Sequence, residues 1–132
     1  MFSLKRETDY AVQLIKYLSG KGGKKFKSLK DFSKESEISF WFLQKIARKL
    51  NLAGIIAAEQ GVNGGYAMKV PLKGLTLYRI FEIMEGKQAV TPCLLGEIEC
   101  AGNHKKCKFR TMTAKLNKEI IKTLQQVKIS AV

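Results

Sequence analysis

The sequence has no apolar run near the roughly 20 residues that a membrane-crossing helix requires, so such a helix is excluded. Its opening, Met1-Phe2-Ser3-Leu4-Lys5-Arg6-Glu7, meets charge too early for a secretory leader. The expected location is the cytoplasm, where thiols stay reduced. Cysteine is scarce and odd in number: Cys93, Cys100 and Cys107 make a poor disulfide set, which leaves a metal site, a redox site or packing. There is one histidine, His104, and no paired-carboxylate constellation. A general base beside an open metal position is therefore missing, and an enzyme is not expected.

Acid is the other shortage. Eleven Asp and Glu face 24 Lys and Arg, a net charge of +13 on 132 residues. A surplus that large on a small body attracts polyanions. Nucleic acid is the first partner this implies, and an anionic membrane surface the second. Duplex DNA is favoured over RNA, because the exposed aromatic stacking pattern of common RNA modules is absent. Apolar residues make up 45% of the chain, enough for a core without disulfide staples.

Tyr10, Ala11, Leu14, Tyr17 and Leu18 recur at helical spacing, which predicts a helix from about Thr8 to Ser19 with Thr8 as its N-cap. Ser28 caps a second helix over Leu29 to about Ser36, with Asp31 at its third position. Ser39 caps a third, Phe40 to about Leu50. Its apolar stripe is Phe42, Leu43, Ile46, Ala47 and Leu50; Trp41, Gln44, Lys45 and Arg48 form the opposite stripe. Ile55–Glu59 and Tyr66–Val70, joined through Gly61-Val62-Asn63-Gly64-Gly65, read as a hairpin. Thr76 caps a fourth helix, Leu77 to about Glu85. From Gly86 to about His104 no periodicity survives, and a stretch that long without regular structure marks a functional loop. Lys108 to Ser130 reads as one long helix whose stripe is Phe109, Met112, Leu116, Ile120, Leu124 and Val127. Pairing with the same helix of a second chain would hide that stripe.

Three helices, the last with a basic outer face, followed by a hairpin, is the order of a winged helix-turn-helix. Gln44 can exchange hydrogen bonds with an adenine edge; Lys45, Arg48 and Lys49 can meet phosphate or guanine. The helix starts near Ser28, Lys30 and Ser39 offer backbone N–H groups to phosphate. Trp41 on the helix and Asn63, Gly64 and Tyr66 on the wing complete the expected DNA-facing set. Residues 21 to 49 hold nine basic and three acidic residues, a net of +6.

Thr8-Asp9-Tyr10-Ala11, Ile38-Ser39, Phe42-Leu43, Lys45-Ile46, Ala53-Gly54-Ile55-Ile56, the wing turn Gly61-Val62-Asn63-Gly64-Gly65-Tyr66, Leu75-Thr76-Leu77 and Glu85-Gly86 occur in that order ahead of three spaced cysteines. In this the chain resembles the IscR/NsrR-like family of bacterial winged-helix transcriptional regulators, many of which carry an iron–sulfur cluster. It departs from the family at Gln60, where arginine is frequent, and at Gln44, where an acid is frequent. The resemblance therefore carries no operator sequence.

Cys93, Cys100 and Cys107 are separated by six residues each. Thiolates are natural ligands of [2Fe-2S] and [4Fe-4S] clusters, and three of them leave one position for another residue. The resemblance to the nitric-oxide-sensing branch implies Asp9, supplied there by the other subunit. His104 is the alternative fourth ligand. Cys₃His zinc binding by the same residues is a competing reading, though the spacings are not those of common zinc modules. Lys105, Lys106 and Lys108 would offset the negative charge of bound thiolates.

The expectation is a mainly α protein with a small β-hairpin. Residues 1–86 form a winged helix-turn-helix, 87–107 a cysteine-bearing cluster loop, and 108–132 a dimerisation helix. Its function is that of a homodimeric DNA-binding regulator on a pseudo-palindromic operator, sensing redox state, nitric oxide or iron–sulfur status. The alternatives are control by thiol oxidation or a partner protein without a cluster, or a zinc-binding basic protein.

Overall fold

The computed structural model describes residues 2–20, 25–62, 64–96 and 106–132. Among these, the α-helices and the hairpin run in the order α1 (Arg6–Ser19), α2 (Leu29–Ser36), α3 (Phe40–Leu52), β1 (Ile56–Glu59), β2 (Gly65–Met68), α4 (Leu77–Glu85) and α5 (Lys108–Gln126). This is the mainly helical, hairpin-bearing architecture read from the pattern. The core sits where α1, α3 and α4 meet. Leu14 and Ile15 of α1 pack there with Leu43, Ile46 and Leu50 of α3, and with Ile80 of α4. Burying each such side chain contributes about 1.5–3 kcal/mol relative to exposing it. Phe42 is only half-buried; its ring stands edge-on to Tyr10 at 5.7 Å.

The turn between α2 and α3 sets their crossing. Glu37 closes α2 in the left-handed conformation, φ 63°. The Ser33 hydroxyl donates to the Ile38 carbonyl at 2.6 Å across the turn, and Ile38 is buried. The hairpin pairs Ile56 with Met68 and Glu59 with Gly65. It gains a third backbone segment: the Lys27 N–H donates to the Tyr66 carbonyl at 2.8 Å, and the Tyr66 N–H returns to Lys27 at 2.9 Å. The wing is thereby fastened to the chain just before α2.

Several local expectations change. α1 begins at Arg6 and its N-cap is Lys5, not Thr8. Thr8 is buried and its hydroxyl donates to Glu85 Oε1 at 3.4 Å, so a tertiary contact took the side chain that a cap would use. Ser39 occupies the N-cap position of α3 without a side-chain capping bond, whereas Ser28 and Thr76 accept from the Lys30 and Arg79 N–H groups. The segment after Gly86 is not wholly irregular: Pro92–Leu95 form a 3₁₀ turn.

The largest difference is at the end of the chain. α5 stops at Gln126, about 28 Å from its start, instead of running to Ser130. Residues after it return to their own domain as a strap. The Leu77 N–H donates to the Val127 carbonyl at 2.8 Å, the Ile129 N–H donates to the Leu75 carbonyl at 3.0 Å, and Lys128 bridges Thr76. Ile129 is fully buried in the main core. Val127 and Lys128 are extended and Ile129 opens a short 3₁₀ turn, Ile129–Ala131, which places its side chain in the core instead of continuing α5.

Candidate nucleic-acid interface and cysteine segment

The face beside the wing is built from short pieces. Ser28 Oγ accepts the Lys30 N–H at 3.2 Å and starts α2. Lys30 Nζ lies 5.8 Å from the centre of the Phe40 ring, which joins the start of α2 to the start of α3. Ser28, Lys30, Phe40, Gln44, Gly64 and Tyr66 line a cleft of about 250 Å³ between the two helix starts and the wing. Gln44 is thus brought together with Ser28, Lys30, Gly64 and Tyr66, which are far from it in the sequence.

Gly64 and Gly65 of the wing are required by close approach. A Cβ on Gly65, whose φ is +141°, would run into the Lys27 carbonyl; one on Gly64 would meet the Glu59 carbonyl. Val62 stands fully exposed at the wing tip. Asn63 lies outside the described residues.

On α3, Trp41, Gln44, Lys45 and Arg48 share the exposed stripe, and Ser39, the N-cap before the helix, is also exposed. Lys45 Nζ stands 4.8 Å from the centre of the Trp41 ring, a cation–π arrangement that holds both side chains on that face. Lys49 is placed differently. Its ammonium donates to Glu7 Oε2 on α1 at 3.0 Å and to the Met84 carbonyl on α4 at 3.3 Å, away from the stripe. Glu85, next in the chain, pairs with Lys5 at 3.4 Å and accepts from Thr8. Neither Glu7 nor Glu85 stands among the site residues expected from the sequence, where Glu85 enters only as a helix end and through the Glu85-Gly86 motif. Only Glu85 carried a signal, as the last helical residue before a conformation-breaking glycine.

Glu85 opens the cysteine segment. The Val90 N–H donates to Asn117 Oδ1 at 3.0 Å, which attaches this segment to α5. Cys93 lies in the 3₁₀ turn with Sγ 3.2 Å from Thr91 Oγ1. Cys107 is the N-cap of α5, and its sulfur accepts the Arg110 N–H at 3.3 Å. Both are half-buried free thiols. Asp9 stands exposed on α1 and accepts from Gln13 at 3.1 Å. Cys100 and His104 lie outside the described residues, and among the described residues no three His, Cys, Asp or Glu side chains come together as a metal site.

Of the apolar stripe on α5, Phe109, Met112 and Leu116 remain 59%, 57% and 51% exposed. Ile120, Leu124 and Val127 are half-buried, and α5 lies against α4.

Comparison with known proteins decides the family. The model of Rrf2, described as iron-dependent transcriptional regulator, matches residues 4–132. The chain belongs to the Rrf2 family. Rrf2 members are DNA-binding transcriptional regulators and not enzymes, which matches the charge and the helix order described above. Over 98 residues this Rrf2 chain is 31% identical to Protein aau3 of Rhizobium meliloti (strain 1021), covering 74% of this chain and 63% of that protein. Over 68 residues it is 34% identical to the HTH-type transcriptional regulator IscR of Cereibacter sphaeroides, covering 52% of this chain and 44% of that one. These matches span less than two thirds of either curated relative. Among solved structures, CymR (YrzC), the global cysteine regulator of B. subtilis, superposes with a TM-score of 0.74 at 19% identity, covering 98% of this chain and 95% of that chain. IscR of T. potens superposes at 0.69 and 19% identity, covering 98% and 84%. Identities this low speak for the winged-helix fold alone. No helix among the described residues is long and apolar enough to cross a membrane.

Proposed function

We propose that this Rrf2 regulator is a cytoplasmic homodimer that binds a pseudo-palindromic duplex operator and senses redox state, nitric oxide or iron–sulfur status through an iron–sulfur cluster. The outward stripe of α3 enters the major groove, and the wing with the start of α2 meets the backbone. Two copies pair through the open face of α5 at Phe109, Met112 and Leu116, which sets the spacing of the two recognition helices.

The observation that carries the sensing half is Cys107 at the cap of α5. Its sulfur already accepts a backbone N–H from Arg110, the arrangement by which a metal-bound thiolate disperses its charge. Cys93 is likewise free, so the donor chemistry fits a thiolate-ligated group. Cys93, Cys100 and Cys107 would hold the cluster, with Asp9 as fourth ligand and His104 as its alternative. Such a group supplies an iron centre that reacts with oxidants and nitric oxide. The chain's own part is mechanical. Residues 86–107 connect α4 to α5, and Glu85, at the start of this connection, is fastened to α1 through Thr8 and Lys5. Lys49 fastens α3 to the same corner. A change in how that connection is held is thereby passed to the recognition helix. A coupling of about 1–3 kcal/mol suffices for regulation.

The test is an anaerobic absorbance spectrum with iron and sulfide counts per chain, followed by DNA retardation. Colour, bound iron and sulfide, and an affinity that changes on cluster loss support the proposal. A protein that stays colourless after reconstitution overturns the cluster. Cys93 and Cys107, the free thiols among the described residues, support a second reading in which thiol oxidation controls binding; DNA affinity that ignores iron but answers to peroxide selects it.

A further inference from the structure

The outer face of α3 carries two exposed apolar groups, Trp41 near its start and Leu52 at its far end. Trp41 is the only tryptophan of the chain and is 64% exposed. An aromatic ring of that size is ordinarily well buried in a folded domain. It is also not loose. Lys45 covers one side at 4.8 Å, and Phe42 meets the ring at 75° with centroids 6.4 Å apart. Phe42 is itself braced edge-on by Tyr10 of α1 at 5.7 Å. The indole is therefore a pre-positioned apolar surface on the same stripe as Gln44, Lys45 and Arg48.

We propose that Trp41 is a specificity-determining residue that reads a thymine C5-methyl group in the major groove. This rests on the reading of α3 as the recognition helix. Among the major-groove edges of the four base pairs, the thymine methyl is the one sizeable apolar group; beside the small C5–H of cytosine, the other features are donors or acceptors. A ring placed over those polar groups would displace their water and leave them unsatisfied. Over a methyl it removes apolar surface from water on both partners. Lys45 occupies one side of the ring, which disfavours stacking on a splayed-out base and leaves contact with a base edge. Its ammonium is held beside the contact, where it can reach a neighbouring guanine or phosphate.

The experiment uses the whole chain and a duplex selected from a random-sequence pool by retention on the protein. The selected duplex is synthesised again with deoxyuridine in place of thymidine, which removes the methyl and keeps pairing, carbonyls and phosphates. The expected result is about fourfold weaker binding for each methyl contacted. Trp41→Ser, at an exposed position, binds both duplexes alike. Emission of the single tryptophan shifts to shorter wavelength on the thymidine duplex and less on the deoxyuridine duplex. Equal binding of both duplexes by the unaltered protein overturns the inference, and so does a deoxyuridine effect that persists undiminished in Trp41→Ser. Retention of no duplex at all would instead remove the recognition-helix reading on which the inference stands.

Discussion

Lys49 and Glu7, 42 residues apart in the chain, join the recognition helix to α1 with an Nζ–Oε2 distance of 3.0 Å. The same ammonium reaches the Met84 carbonyl, so one side chain ties α3 to both helices that carry it. Both partners remain partly in water, which limits the pair to about 0.2–1 kcal/mol. A Glu7→Gln/Lys49→Met double-mutant cycle in urea is expected to show coupling in that range, shrinking as salt is raised. In DNA retardation, Lys45→Met and Arg48→Met should each lower the slope of log affinity against log salt by about 1, and Lys49→Met should leave it unchanged. An equal fall for Lys49→Met would place that ammonium on phosphate.

The strap makes a second prediction. Ile129 is fully buried, and its amide is bonded to Leu75. Ile129→Ala should cost about 2–5 kcal/mol, from lost apolar contact and the cavity left behind. A loss below 1 kcal/mol in urea unfolding would show that the strap is not part of the folded core in solution.

The wing glycines make a third. Gly65→Ala places a methyl against the Lys27 carbonyl at a φ that L residues rarely adopt. The backbone pair between Lys27 and Tyr66 should part, at a cost of about 1–3 kcal/mol. Amide exchange at Lys27 and Tyr66 should quicken, and DNA affinity should fall. Gly54→Ala is the comparison: its φ is also positive, but no atom lies within 4 Å of the added carbon. A smaller loss is expected there.

The open face of α5 makes a fourth. Phe109→Ser, Met112→Ser and Leu116→Ser together remove exposed apolar surface without touching the core. Sedimentation should report a monomer with near-unaltered helicity. A dimer that survives the triple substitution would move the interface elsewhere.

Alkaline pH supplies a fifth. Burial, then the negative charges of Glu35 and Asp31, hold the Tyr17 hydroxyl above its ordinary value of 10.0. Its ring is stacked on Phe32 at 4.6 Å. A raised value in the folded state means that the folded protein keeps its proton where the unfolded chain has lost it. The contribution is intact below about pH 10 and is lost as pH rises through the folded value. Urea midpoints should fall above pH 10, and fall less in Tyr17→Phe.

The local pattern was enough to determine the order of elements. The period of Leu43, Ile46 and Leu50 put one face of α3 inside and left Trp41, Gln44, Lys45 and Arg48 outside, because a helix with a single apolar stripe has one way to bury it. The glycines of the wing and the caps at Ser28 and Thr76 were legible for the same reason: their requirements are met within a few residues. Tertiary structure alone decided the rest. Nothing near Thr8 announces Glu85, nothing near Lys49 announces Glu7, and nothing near Ile129 announces the core that buries it. Each of those outcomes depends on which distant group offers a charge, an acceptor or an apolar vacancy. Such long-range pairings are worth only about as much as the local preferences they override, so the winner is set by the packed arrangement and not by neighbours in the chain.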